Sequence, residues 1–195
     1  PLIKKVASTK KPVIISTGMA TVAEIDEAVR TARENGCEQI VLLKCTSTYP
    51  ASPENTNIRT IPHLQNMFNC DVGLSDHTLG IGASIAATAL GAVVIEKHLT
   101  LSRADGGVDS AFSMEPVEFR QLVLETERAW LALGQIQYGP TPEELTARSR
   151  RRSLYVVQDL KKGDVLTDIN IKAIRPGLGL LPKYIDQVLG MTVMR

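Results

Sequence analysis

Two histidines carry the strongest chemical signal in this chain, His77 in GLSDHT and His98 in IEKHLT, 21 residues apart. Each closes a short apolar run of strand character. Side chains alternate along a strand, so Ser75 shares a face with His77 and Glu96 with His98, and both imidazoles can point to one side. Neutral imidazole is a borderline ligand suited to Mn, Co, Fe or Zn, and two protein ligands leave coordination positions for substrate and water. Two hydrogen-bonded histidines in a polar mouth, without metal, fit the same spacing. The third histidine, His63 in TIPHLQNM, reads as a surface or packing residue in a loop.

Hydroxyls gather at equivalent places: Ser16 and Thr17, Thr46 and Ser47, and Ser75, with Gly18 and Gly73 allowing close backbone approach. Such donors suit an anionic phosphate or carboxylate. Asp76 fits either an acceptor behind a ligand histidine or a strand-end cap. Tyr49 and Asp109 can hydrogen-bond a polyol, and Asp105-Gly106-Gly107 is a turn. A Schiff-base aldolase would need an inward lysine, but the parity of Lys44 and Lys97 turns both away from the polar face.

Four β-branched apolar runs position these residues: Val13 to Met19, Ile40 to Tyr49, Val72 to His77 and Val93 to Leu99. Between the first two, Ile25, Ala28, Val29 and Ala32 fall at helical spacing over Ala23 to Asn35, Thr21 and Glu24 form a capping box, and Gly36 marks the stop. Further helices are predicted over Ile81 to Leu90 and Glu115 to Leu133, the latter with Phe119, Leu122, Val123, Thr126 and Trp130 on one face. Alternating strand and helix implies a parallel sheet. Because all four strands end in polar residues, and a barrel brings its C-terminal strand ends to one mouth, the pattern favours a TIM (β/α)8 barrel over a doubly wound sheet. Eight such units need roughly 200 to 250 residues, and four are present, half a barrel.

The segment from Gln135 to Ser153 reads as a linker with a short polar helix. Beyond it, Leu154 to Val157, a Lys-Lys-Gly-Asp turn and Ile171 to Ile174 lead into RPGLGLLPKY, so a small β-rich domain is expected. The expected domains are thus 1–134, a linker 135–153, and 154–195.

Composition excludes other classes. With 22 Lys+Arg against 21 Asp+Glu in 195 residues there is no electrostatic footprint for nucleic acid, and the cluster Arg148, Arg150, Arg151 and Arg152 reads as a solvated linker. The 18-residue uncharged run Thr78 to Ile95 carries three glycines and reads as buried helix and strand rather than a membrane span. Cys37, Cys45 and Cys70 are odd in number without CxxC spacing, which fits a reducing cytoplasm. The chain opens on Pro1 rather than Met, as expected of a fragment.

KPVIISTGMAT, KCTSTYP, GLSDHTLGI, GAVVIEKHLT and AIRPGLGLLPKYID together resemble the nonulosonic (sialic) acid synthases, whose barrel is followed by an antifreeze-like (SAF, β-clip) domain. Within that family LSRADGGVDSAFSMEP is similar to the pseudaminic acid synthases, whereas N-acetylneuraminate and legionaminate synthases more often show a GPDHxAS-type segment; spore-coat polysaccharide enzymes are a further sibling group. The resemblance implies condensation of phosphoenolpyruvate with an N-acyl amino sugar, the enol carbon adding to the open-chain aldehyde and phosphate leaving by C–O cleavage. It implies a divalent metal held by His77 and His98, commonly Mn²⁺ with Mg²⁺ or Co²⁺ as alternatives. It further implies phosphoenolpyruvate contacts from Ser16 and Ser75, amino-sugar contacts from Tyr49 and Asp109, and a proton-managing role for Glu96. Ser47 takes a position where sialate synthases often carry Asn. Arg175 matches an arginine that the antifreeze-like domain contributes to the barrel of a partner, which implies a homodimer with exchanged domains.

The family's barrel should begin with four further strands. A half-barrel alone would expose unpaired edges and apolar interior, so it is expected to aggregate or self-pair and to be inactive by itself. The alternative of a different class is a non-catalytic glycan-binding fragment, which the pairing of His77 with His98 disfavours.

Overall fold

A computed structural model describes residues 1–195, which form two units, Pro1–Gln135 and Ile136–Arg195. In the first unit a short helix α1 (Leu2–Ala7) precedes strands β1 (Val13–Ser16), β2 (Ile40–Cys45), β3 (Asp71–Asp76) and β4 (Ile95–Lys97). Helices α2 (Val22–Glu34), α3 (Thr60–Phe68), α4 (Gly82–Ala89) and α5 (Pro116–Leu133) follow the successive strands. All pairings are parallel and the order is β1-β2-β3-β4. A doubly wound sheet would reverse direction at a switch point, whereas this sheet advances without reversal, as consecutive units of a barrel do. The unit is half of a (β/α)8 barrel.

Strand parity separates two faces. Val13 and Ile15, Ile40 and Leu42, Val72 and Leu74, and Ile95 pack outward against Ile25, Val29, Ile61, Leu64 and Phe68 of the helices. Leu42, Val72 and Leu74 are fully buried, each burial contributing about 1.5–3 kcal/mol. The opposite face carries Ile14 and Ser16, Val41 and Leu43, Gly73 and Ser75, and Glu96. It is open over β1, where Ile14 is 56% exposed.

The α2 capping box forms as expected, Glu24 N–H donating to Thr21 Oγ1 at 3.4 Å while Glu24 Oε2 accepts from Thr21 N–H at 2.7 Å. Two expectations need correction. The strands are shorter than the apolar runs, so Thr46, Ser47, Tyr49, His77 and His98 lie just past the strand ends. The segment around His63 is a helix rather than a loop; Pro62 sits in its first turn, where the missing N–H would have no partner in any case. On α5 Phe119, Leu122, Val123, Thr126 and Trp130 do share the expected face, lining one cleft over β4 and α4 in which Leu122 is buried and Trp130 is 66% exposed.

The second unit holds helix α6 (Pro142–Arg148), the antiparallel pair β5 (Ser153–Val156) and β6 (Ile171–Ile174), and a short helix α7 (Ile185–Val188). Its only fully apolar buried residue is Ile171; Ser153 and Asn170 are buried with it. Ser153 Oγ donates to Gly179 O at 3.1 Å and accepts from Gly179 N–H at 3.0 Å, and Lys161 N–H donates to Asp164 Oδ2 at 2.7 Å in the expected turn. This unit is held by turn hydrogen bonds more than by a core.

Candidate functional site

At the C-terminal ends of β3 and β4 the inward residues meet. Ser75 and Glu96 are register partners, and Ser75 Oγ donates to Glu96 Oε1 at 2.7 Å. One step beyond, the rings of His77 and His98 stand 5.2 Å apart, nearly edge to face. His77 is held twice: its Nδ1 lies 2.9 Å from Thr46 O, and its carbonyl accepts from Ala51 N–H at 2.8 Å. That second bond folds the loop after β2 inward and sets the Tyr49 ring 4.3 Å from His77 and 5.9 Å from His98.

His98 is held from the other side. Met114 N–H donates to His98 O and Thr100 N–H to Met114 O, both at 2.9 Å, so the segment after β4 returns to where it began. Buried Ser113 and Met114 seat that return, and Arg103 clamps it with bonds to Ser113 O at 3.0 Å and to both oxygens of Glu118 at 2.6 and 2.9 Å. The bond from Arg103, with Glu115 N–H, draws the Glu118 carboxyl down from its usual value of 4.5 to about 2. The returning segment brings Asp109 Oδ2 to 3.6 Å from His98 Nδ1 and the Phe112 ring to 5.2 Å from the His98 ring. Phe112 did not stand out in the sequence, where one aromatic in SAFS has no periodic neighbour to mark it.

The outward residues at the same strand ends do different work. Asp76 is 1% exposed, and its Oδ1 accepts from Thr78 N–H and Oγ1 at 2.8 Å, while Oδ2 accepts from Ser84 Oγ at 2.6 Å and Lys97 Nζ at 2.9 Å. Burial pushes this carboxyl up, but the bonds from Ser84, Lys97 and Thr78 outweigh it and hold it below its ordinary value. Of the two roles open to Asp76, the structure takes the strand-end cap; it does not touch His77. Lys97 also donates to Thr78 O at 2.6 Å, and Lys44 Nζ to Cys45 O at 2.8 Å, so both lysines face away from the mouth as parity predicts.

Other expected contributors are corrected. Thr17 Oγ1 donates to Leu43 O at 2.9 Å and Thr46 Oγ1 to Asn55 O at 3.2 Å, so both hydroxyls brace backbone. The space beside Gly18 is taken by Ser47 Oγ and that beside Gly73 by Leu43 and Val94 O, leaving room for neighbouring protein atoms rather than a ligand. Ser47 and Cys45 lie 3.8 Å apart, Oγ to Sγ, near the end of β1, where Ser16 is exposed on the inward face. Arg175 is exposed in the second unit.

The donor set suits a divalent cation of the Mn²⁺ class. No group of three or more His, Cys, Asp or Glu side chains forms a cage. Instead Thr46 O lies at hydrogen-bond distance from His77 Nδ1, leaving its Nε2 available, as an outer oxygen does that fixes a ligand histidine's tautomer, while the Asp109 carboxylate stands 3.6 Å from His98 Nδ1, outside hydrogen-bond distance. Two protein ligands with open positions belong to catalytic rather than structural sites. No helix is long and apolar enough to cross a membrane, and all three cysteines are free.

Residues 1–138 match the NeuB family and residues 151–195 the SAF domain. An uncharacterized protein of Methanocaldococcus jannaschii is 44% identical over 99% of this chain and 58% of its own length. A pseudaminic acid synthase of Helicobacter pylori is 43% identical over 97% of this chain and 56% of its own. Among solved structures, the N-acetylneuraminic acid (sialic acid) synthetase of Leptospira borgpetersenii, in complex with citrate, superposes with a TM-score of 0.68 at 36% identity, covering 75% of this chain and 51% of that one. The chain spans little more than half the length of the curated relatives it matches.

Proposed function

The chain belongs to the NeuB family, and from that premise we propose that it supplies the metal- and acceptor-binding half of a pseudaminic acid synthase. The whole enzyme would condense phosphoenolpyruvate with 2,4-diacetamido-2,4,6-trideoxy-altrose to give a nonulosonic acid and phosphate. The observation that carries this reading is the meeting of His77 and His98 at 5.2 Å, with Thr46 O bonded at His77 Nδ1 and the Asp109 carboxylate near His98, beside the Ser75–Glu96 pair. The choice of acceptor is supported by the GGVDSAFS segment and by the 43% identity to the Helicobacter pylori enzyme of that name.

In this reading His77 and His98 hold a divalent cation, Mn²⁺ by preference, whose Lewis acidity favours attack on the acceptor aldehyde. Ser75 fixes one oxygen of Glu96 and leaves Oε2 to accept the proton of the water that adds at the carbon losing phosphate. Ser16 and Ser47 hydrogen-bond phosphoenolpyruvate, the Ser75 proton being committed to Glu96, while Tyr49 and Asp109 orient the amino sugar. Arg175, exposed in the second unit, would reach the mouth of a partner copy, making the active unit a homodimer. The free thiols and phosphorylated substrate fit a cytoplasmic enzyme.

Phosphate release tests this directly. A protein carrying the complete barrel around these residues is given phosphoenolpyruvate, Mn²⁺ and either the diacetamido sugar or N-acetylmannosamine. Release with the diacetamido sugar alone, abolished by chelator, is the expected result. Release with N-acetylmannosamine alone would overturn the acceptor, and no release with either would overturn the enzymatic reading.

A further inference from the structure

We propose that Phe112 is a specificity-determining residue whose ring forms an apolar wall against a methyl-bearing substituent of the acceptor sugar. The inference rests on the condensing-enzyme reading above and concerns a residue with no role in it. Its ground is the turn Ser110–Phe112, capped by Asp109. In such a tight turn residues three apart eclipse, so Asp109 and Phe112 present their side chains on one side, and both sit against His98. The Phe112 ring also stands 5.9 Å from Tyr49, whose own ring covers His77. Two aromatics therefore flank the paired histidines, Tyr49 from the loop after β2 and Phe112 from the segment after β4.

Folding of that segment does not account for the ring. Buried Ser113 and Met114, the backbone bonds to His98 and Thr100, and the Arg103–Glu118 clamp already anchor it, while Phe112 itself remains partly exposed. A partly exposed phenyl held beside His98 and Tyr49 offers what the surrounding hydroxyls and carboxylates cannot, a surface for C–H and methyl groups. One turn thereby sets an acceptor for amide N–H or hydroxyl, Asp109, next to an apolar face. An acetamido group or a 6-deoxy carbon has matching halves.

The test measures steady-state phosphate release by the complete-barrel protein and its Phe112→Ala, Phe112→Leu and Phe112→Asn variants, with a Mn²⁺ titration on each. The KM for the diacetamido sugar should rise about 10-fold in F112A and F112N, the scale on which apolar pockets discriminate. F112L should recover most of it. The KM for phosphoenolpyruvate and the Mn²⁺ affinity should stay unchanged, whereas a collapsed loop would move both, since the loop ends on His98. An unchanged acceptor KM in F112A, or rises in phosphoenolpyruvate KM and loss of Mn²⁺ affinity alongside it, would overturn the wall. Recovery by asparagine as good as by leucine would overturn its apolar character. Failure of the unsubstituted protein to release phosphate would instead overturn the functional reading and the wall with it.

Discussion

Asp76 stands next to His77 and Lys97 next to both Glu96 and His98, yet the outward and inward residues at the ends of β3 and β4 behave as different materials. The outward pair is sealed, with side-chain exposure of 3% for Lys97 and none for Asp76, and every polar atom is committed to a partner in the protein. The inward group is less completely sealed: Ser75 and His77 are buried, but Glu96 is exposed with one oxygen free of a partner, and His98 is partly exposed. One residue of phase along a strand decides between them. Charged residues at a strand end are therefore not equivalent candidates for chemistry; the face that helices cover spends its charges on holding the strand ends still, and the other face inherits the precision.

The largest effect should come from breaking the sealed side. Lys97→Ala leaves the Asp76 carboxylate buried without its cation, and a loss of about 3–5 kcal/mol in stability is expected in chemical denaturation of a complete-barrel protein. Replacing both, as Asp76→Asn with Lys97→Met, should recover a large part of that loss, and no recovery would show that the pair is not coupled. On the inward side, His77→Ala in a complete-barrel protein should cost only about 1–2 kcal/mol of stability, the scale of one buried hydrogen bond, while lowering Mn²⁺ affinity and turnover by more than about 100-fold. Unfolding by His77→Ala would erase the distinction between the faces.

A matched pair of hydroxyls sharpens the comparison further. Thr17→Val removes a buried bond to Leu43 O and should cost about 1 kcal/mol in stability. Ser75→Ala frees the Glu96 carboxylate and should lower turnover, with little change in melting temperature. The smallest effect concerns acid. Glu118 has its carboxyl lowered to about 2 by Arg103, so the clamp's contribution is fully present above the ordinary value of 4.5 and fades as pH falls from there toward 2. Glu118→Gln should lower the melting temperature by at most a few degrees at neutral pH, since solvent screens this exposed pair, and the difference should nearly vanish by pH 2, where the parent carboxyl is itself protonating.

Much of this could be read in the chain itself. The runs at positions 13, 40, 72 and 93, the capping box at Thr21 and the parity of Lys44 and Lys97 are local signals, and they found the parallel sheet, the first helix and the facing histidines. Helix α3 escaped because Pro62 resembles a breaker unless the helix start is already known. Thr17 and Thr46 were taken for ligand donors because a hydroxyl's partner is a tertiary fact: Leu43 O and Asn55 O lie across a strand and a loop. Phe112 was invisible for the same reason, since only the return of Met114 to His98 puts its ring beside the histidines.

That return has an evolutionary reading. A stretch whose two ends are stitched together at Leu99 and Met114 is a cassette with fixed terminals, and its contents can change in sequence without disturbing the frame outside it. The residues between Arg103 and Phe112 can be rewritten while His77 and His98 stay where β3 and β4 put them. The same stitch marks where a designer would cut to exchange the segment between two barrels.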